Sequence, residues 1–192
     1  FIGAYVCQAL RARGDAVVGL DNFNGYYDPQ LKRDRIAALC PDVEIPQVDI
    51  ADARALDALF DSAEPRAVIH LAAQAGVRYS LESPGTYVQS NLVGFTHMLE
   101  ACRHHGIDQL IYASSSSVYG GSAEPPFDET QRVDQPLSLY AATKAANEYR
   151  PEKPRGAGWS SGTADEAREL RAFDRVRDDD ARPGQRRRPG VP

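Results

Sequence analysis

Between Ala16 and Glu148 the chain alternates short apolar runs with stretches whose apolar residues recur every three or four positions. This alternation restricts the fold more than any other feature. AVVGLD (16–21), VEIPQVDI (43–50), AVIHLAA (67–73) and LIYASSS (110–116) read as strands. PQLKRDRIAALC (29–40), with Pro29 at a helix-starting position, and DARALDALF (52–60), capped by Asp52, read as helices. So does the stretch from about Pro84 to His105, with Val88, Leu92, Phe95, Leu99 and Cys102 on one face, and so does LSLYAATKAANE (137–148). Strands that are apolar throughout and separated by helices belong in a parallel sheet covered on both faces. The expected fold is α/β, a doubly wound parallel sheet of Rossmann type, with ligands beyond the carboxyl ends of the strands. It is expected to be incomplete, because the first helix starts at about Gly3 with no strand before it.

The pattern stops at residue 148. Of the 44 residues that follow, only 11 are hydrophobic, and five Pro and five Gly interrupt them. So little apolar area cannot offset chain entropy, so residues 149–192 are expected to be an irregular, disordered tail with at most one marginal helix at 164–173. The division gives two units: an α/β domain at 1–148 and the tail. The Arg, Pro, Gly and Asp content of the tail suggests a change of reading frame at about residue 149.

Charge narrows the partners. Residues 1–148 hold 11 Lys and Arg against 19 Asp and Glu, so the domain is acidic and offers no basic face for nucleic acid. The Arg triplet 186–188 lies in the irregular tail and reads as adventitious. Cys7, Cys40 and Cys102 are widely spaced and read as reduced small hydrophobes, not as a disulfide frame or zinc site. His104 and His105 are adjacent on a helix and point apart, so no metal is expected there. The sequence holds neither a membrane-length apolar run nor a signal-peptide pattern, and the expectation is a cytoplasmic protein with no membrane partner.

Chemistry concentrates where the helix at 137–148 begins. Tyr140 and Lys144 are four apart on a helix and project from one face. A phenol is a poor base at neutral pH, but a neighbouring ammonium favours the phenolate. Ser115 ends a strand 25 residues before Tyr140. With Asp21 ending the second strand and with the stretches LDNFNGYYD (20–28), HLAAQAGVRYSLESP (70–84), SNLVGF (90–95), YASSSSVYG (112–120) and SLYAATKAANE (138–148), the chain resembles the extended short-chain dehydrogenase/reductase family, and within it the NAD-dependent sugar-nucleotide 4-epimerases. The resemblance covers residues 1–148.

The resemblance implies an NAD cofactor, a nucleotide-sugar substrate, and a homodimer, as in intact relatives, formed through the helices at 84–105 and 137–148. Ser115, Tyr140 and Lys144 would be catalytic: Tyr140 takes the C4 hydroxyl proton while the C4 hydride leaves, and the hydride returns to the other face of the 4-keto sugar. Phe1, Ile2 and Gly3 match only the last three positions of the family's T-G-x-x-G-x-x-G phosphate loop, with Gly3 allowing close helix–strand packing. Asp21 would accept the adenosine ribose hydroxyls and repel a 2′-phosphate, favouring NAD over NADP. Asn22, Asp49 and Ile50 would lie at the adenosine end. Leu71, Ala72, Ala73 and Gln74 would line the dinucleotide, with Asn91 and Ser114 near it; a polar residue such as Asn91 also serves as a structural one on an apolar helix. Arg78, Ser116 and Ser117 would meet a carboxylate-bearing sugar, or else are solvated loop residues. The family's dehydratases carry an Asp–Glu pair where Ser115 and Ser116 stand, which disfavours dehydration. A decarboxylase, a reductase or a non-functional remnant are the other readings, and the chain alone is expected not to turn over.

Overall fold

A computed structural model of the 192-residue chain describes residues 1–121, 126–128 and 130–148, and the backbone of 158–162. The expected marginal helix at 164–173 and the Arg triplet lie outside the described residues. Helices α1 (Ile2–Arg13), α2 (Pro29–Leu39) and α3 (Ala53–Ala63) precede strand β1 (Ala67–His70). Two single turns, α4 (Tyr79–Glu82) and α5 (Pro84–Tyr87), lead through a π-helical turn at Val88–Val93 into α6 (Gly94–His104). Then come β2 (Gln109–Ala113), a 3₁₀ turn at Ser116–Tyr119, α7 (Leu139–Glu148) and β3 (Gly158–Gly162).

The helices start and stop for local reasons. The Asp28 carboxylate accepts the Gln30 amide at 2.9 Å and Pro29 opens α2, while Asp52 accepts Arg54 and Ala55 amides at 3.1 Å and caps α3 as expected. Gly14, at φ 94°, closes α1 with amide bonds back to Leu10 and Arg11. The Ser138 hydroxyl accepts the Ala141 amide at 3.0 Å, so α7 begins at Leu139 and not at 137.

The sheet is parallel, in the order β1-β2-β3. Ala67 pairs with Gln109 and His70 with Tyr112; Gln109 pairs with Gly158 and Ala113 with Gly162. β3 lies within the stretch where irregular chain is expected. Without β3 the second edge of β2 would present unpaired backbone groups, which any extended segment can satisfy whatever its side-chain pattern.

A correction concerns segments 16–21 and 43–50. They run parallel, but bridge only at Val18–Glu44 and Asp21–Gln47. Gly19 donates to Glu44 at 2.9 Å, Asp21 to Pro46 at 3.4 Å and Val48 to Asp21 at 3.1 Å. The bond that would make the ladder continuous needs an N–H at residue 46, and proline has none.

The core lies between α3, α6 and the sheet. Leu56 and Phe60 on α3 meet Met98, Ala101 and Cys102 on α6, over Leu110, Ile50 and Ile107. Leu56 and Leu110 are essentially sealed from solvent, each such side chain contributing about 1.5–3 kcal/mol. Gly94 makes this packing possible: a Cβ there would sit 2.6 Å from the side chain of Ile50. Cys40 and Cys102 are buried and all three cysteines are free, as expected of reduced hydrophobes. His104 and His105 diverge, His105 reaching Asp57 on α3 at 2.8 Å while His104 stays beside Arg103. Among the described residues no helix is long and apolar enough to cross a membrane, and no three His, Cys, Asp or Glu gather to hold a metal.

Candidate functional site

Beyond the carboxyl ends of β1 and β2, three stretches converge: the loop 71–78 after β1, the serine run 114–117 after β2, and the first turns of α7. Lys144 joins two of them. Its ammonium donates to the Ala113 carbonyl, the last residue of β2, at 2.8 Å. The side chain is only 5% exposed, and burial pushes its pKa down to about 8, against the opposing pull of Glu148. Among the described residues Ala113 is the only acceptor it has, which leaves two of its N–H directions for a ligand.

Tyr140 stands one helical turn before Lys144, half-buried, with its ring edge-on to Tyr87 at a centroid distance of 6.1 Å. Tyr87 is fully buried and donates its hydroxyl to Ala75 and Gly76, so the ring that flanks Tyr140 is itself tied to the loop after β1. Burial raises the Tyr87 pKa, keeping it a neutral donor. Gly76 sits at φ +95°, a conformation that suits glycine, with the Tyr26 hydroxyl 3.0 Å from where a Cβ would be. Ser115 is extended and accepts the Ser117 amide at 3.2 Å, starting the 3₁₀ turn. Ser114 donates to Glu148 near the end of α7, and the Tyr112 hydroxyl to the Asn147 carbonyl at 3.2 Å. Strand β2 and the serine run after it are thus fastened to α7 from the middle of the helix to its C-terminal end.

Asn91 lies in the π-helical turn at Val88–Val93. It is buried, and its amide is satisfied by protein: Oδ1 accepts the Gln74 amide at 2.8 Å, and Nδ2 donates to the Gln74 carbonyl at 3.0 Å and to Thr143 Oγ1 at 3.1 Å. Thr143 in turn donates to the Tyr140 carbonyl at 2.8 Å. Asn91 therefore bridges the loop after β1 to α7, and it does so from the π-helical turn that breaks the helix expected at 84–105. Thr143, Tyr87 and His70 escape sequence reading. His70, the last residue of β1, is buried against Phe95 at 5.5 Å between ring centroids, and its pKa falls to about 4 through burial and the nearby Lys144.

At the other end of the segment pair, Asp21 Oδ1 accepts the Phe23 amide at 2.7 Å and the Lys32 ammonium at 2.8 Å, leaving Oδ2 without a partner among the described residues. Asn22 donates to Asp49 at 3.0 Å, and Asp49 accepts the Ala51 amide at 2.9 Å. Ile50 is in the core. Leu71 and Ala72 are half-buried, Ala73 is exposed and Gln74 is buried. A Cβ at Gly3 would meet nothing within 4 Å among the described residues, and Phe1 and Ile2 are exposed. Arg78 and Ser116 are exposed and Ser117 half-buried.

The arrangement suits a dinucleotide in extended form: an acceptor at Asp21, small residues at Ala72 and Ala73, and a desolvated cation at Lys144 with donors to spare. It suits proton transfer at Tyr140.

A family model described as GDP-mannose 4,6 dehydratase matches residues 1–153. Over 150 residues the chain is 53% identical to UDP-glucuronate 4-epimerase 1 of Arabidopsis thaliana, which covers 77% of this chain and 35% of that protein. Protein CapI of Staphylococcus aureus is 46% identical over 149 residues, 77% of this chain and 45% of its own length. Among solved structures, UDP-glucuronic acid 4-epimerase of Bacillus cereus, in complex with UDP-glucuronic acid and NAD, superposes with a TM-score of 0.68 at 36% identity, over 77% of this chain and 47% of that one. UDP-glucose 4-epimerase of Thermus thermophilus, in complex with NAD, gives 0.67 at 35% identity over 77% and 45%. The chain spans about a third to just under half the length of these relatives.

Proposed function

The chain belongs to the family described as GDP-mannose 4,6 dehydratase, and from that premise we propose that it is the cofactor-binding and proton-transferring part of an NAD-dependent sugar-nucleotide 4-epimerase of the UDP-glucuronate type. The single observation that carries this reading is the buried Lys144, held against the end of β2 one helical turn after Tyr140.

NAD, when bound, supplies a hydride acceptor that later gives the hydride back. Asp21 Oδ2, Asn22 and Asp49 would hold its adenosine end, Leu71, Ala72 and Ala73 its middle, and Lys144 the ribose next to the nicotinamide. The other steps belong to side chains of this chain. Lys144, desolvated, would carry positive charge one helical turn after Tyr140 on α7. Tyr140 takes the proton of the sugar C4 hydroxyl, and Ser115 donates to the same oxygen. Tyr87 and the Asn91–Thr143 bridge keep the Tyr140 ring and backbone in place. Once the 4-keto sugar has turned over, Tyr140 returns its proton and the configuration at C4 is inverted.

Ser115 and Ser116 in place of an acid–base carboxylate pair favour epimerisation over loss of water. Arg78, Ser116 and Ser117 are exposed or half-buried beside the site, which suits contact with the sugar carboxylate. The 192-residue chain by itself is proposed not to epimerise. Incubating it with NAD and UDP-glucuronate and resolving the products by chromatography tests that; formation of UDP-galacturonate contradicts it.

A further inference from the structure

The stretch GYYD (25–28) and the single turn α4 meet beside the site, and their rings stand in file with Tyr140. Between ring centres, Tyr27 lies 4.6 Å from Tyr26, Tyr26 4.7 Å from Tyr79, Tyr79 6.3 Å from Tyr87, and Tyr87 6.1 Å from Tyr140. The file runs inwards: Tyr27 is 61% exposed and Tyr26 36%, Tyr79 is half-buried and Tyr87 is sealed. Both ends are fixed to backbone. Asp21, Asn22, Asn24 and Asp28 each accept the amide two residues on, at 2.7, 3.1, 3.3 and 2.9 Å, and the third of these amides is that of Tyr26. At the inner end the Tyr87 hydroxyl donates to the loop after β1.

Between those ends the least supported member is Tyr79. It belongs to a helix of four residues, too short to hold its own shape, so its ring stays where its neighbours put it. Inwards that neighbour is Tyr87; outwards it is Tyr26. Room for Tyr26 exists because residue 76 is glycine: a Cβ there would stand 3.0 Å from the Tyr26 hydroxyl. Rings that meet edge-on or tilted attract through their quadrupoles as well as by burial, so removing one loosens the next. We propose that Tyr26 is a positioning residue for Tyr140, acting through Tyr79 and Tyr87. The inference rests on the reading of Tyr140 as the proton carrier. Such a phenol must keep its oxygen within about 3 Å of the reacting one, and a ring that rocks spends less time there.

The test is nuclear magnetic resonance of the 192-residue chain carrying ¹³C-labelled tyrosine rings. The chain has nine tyrosines, so single Tyr→Phe variants assign each ring signal. Tyr26→Leu should shift and broaden the Tyr140 signal, although two rings separate the pair, whereas Tyr26→Phe keeps the file and leaves that signal in place. Tyr5→Leu, on α1 against Phe1 and outside the file, is the control for general loosening. In a Tyr79→Leu background, Tyr26→Leu should add nothing at Tyr140. A Tyr140 signal that Tyr26→Leu leaves unmoved, or moves equally with and without the Tyr79 ring, overturns the proposal, as does an equal effect of Tyr5→Leu. None of these results touches the proton-carrying reading of Tyr140, which fails instead if product formation survives Tyr140→Phe.

Discussion

The ammonium of Lys144 and the imidazole of His70 are buried close enough for the one to depress the protonation of the other, and the two are the last residue of β1 and a mid-helix residue of α7. The site is therefore built around a cation that burial disfavours, next to a histidine that burial keeps neutral. Both conditions carry a cost in the free chain that can be measured.

For Lys144 the fall from 10.5 to about 8 corresponds to on the order of 3 kcal/mol. A lysine with a lowered folded pKa binds fewer protons folded than unfolded between those values, so stability rises with pH from about 8 to 10.5. Lys144→Met should raise the urea midpoint at neutral pH and abolish that rise, at the expense of cofactor affinity. Equal pH slopes in chain and variant would refute this.

The same linkage for His70 runs on the acid side. With a folded pKa of about 4 against 6.5, the unfolded chain takes up the extra proton, and stability present above 6.5 is lost as pH falls towards 4. His70→Phe, which keeps a ring against Phe95, should flatten the loss; thermal unfolding between those pH values reads it out directly.

Asn91 satisfies the Gln74 amide and carbonyl and the Thr143 hydroxyl at once. Asn91→Leu leaves them unpaired in the interior, costing about 2–3 kcal/mol or more. Because the bridge runs on to the Tyr140 backbone, hydrogen exchange should speed up in the first turn of α7 as well as around residue 74. Exchange changed at residue 74 alone would show that the bridge does not hold the helix.

Gly94→Ala should destabilise by about 1–3 kcal/mol through its clash with Ile50. Ile50→Ala alone loses core packing, but in the double variant it should recover part of the Gly94→Ala loss. Strictly additive losses in chemical unfolding would rule out the contact as the cause.

How far the sequence reveals this molecule depends on how local each cause is. Asp28 and Asp52 as caps, the apolar stripe from Phe95 to Cys102 and the Tyr140–Lys144 spacing are written within a turn or two of chain, and the structure carries them. What could not be read is settled between distant residues. Pro46 in VEIPQVDI signals a defect in a ladder, but its consequence depends on which strand pairs with it. Asn91 is polar on an apolar face, which fits cofactor contact and buried bridging alike until Gln74 and Thr143 are in place around it. Lys32 looks like any helix-surface cation, because its partner Asp21 is brought to it by four turns in succession. β3 forms because an edge was available, and no side-chain pattern announces it.

The measurement that bears most directly on the account is activity of a chimera in which residues 1–148 replace the matching part of the Arabidopsis UDP-glucuronate 4-epimerase 1. The expected product from UDP-glucuronate is UDP-galacturonate, with Tyr140→Phe slowing its formation by about 10²–10⁴-fold. A folded chimera that forms a dehydrated or decarboxylated sugar instead, or that turns over equally well without the Tyr140 hydroxyl, would contradict it.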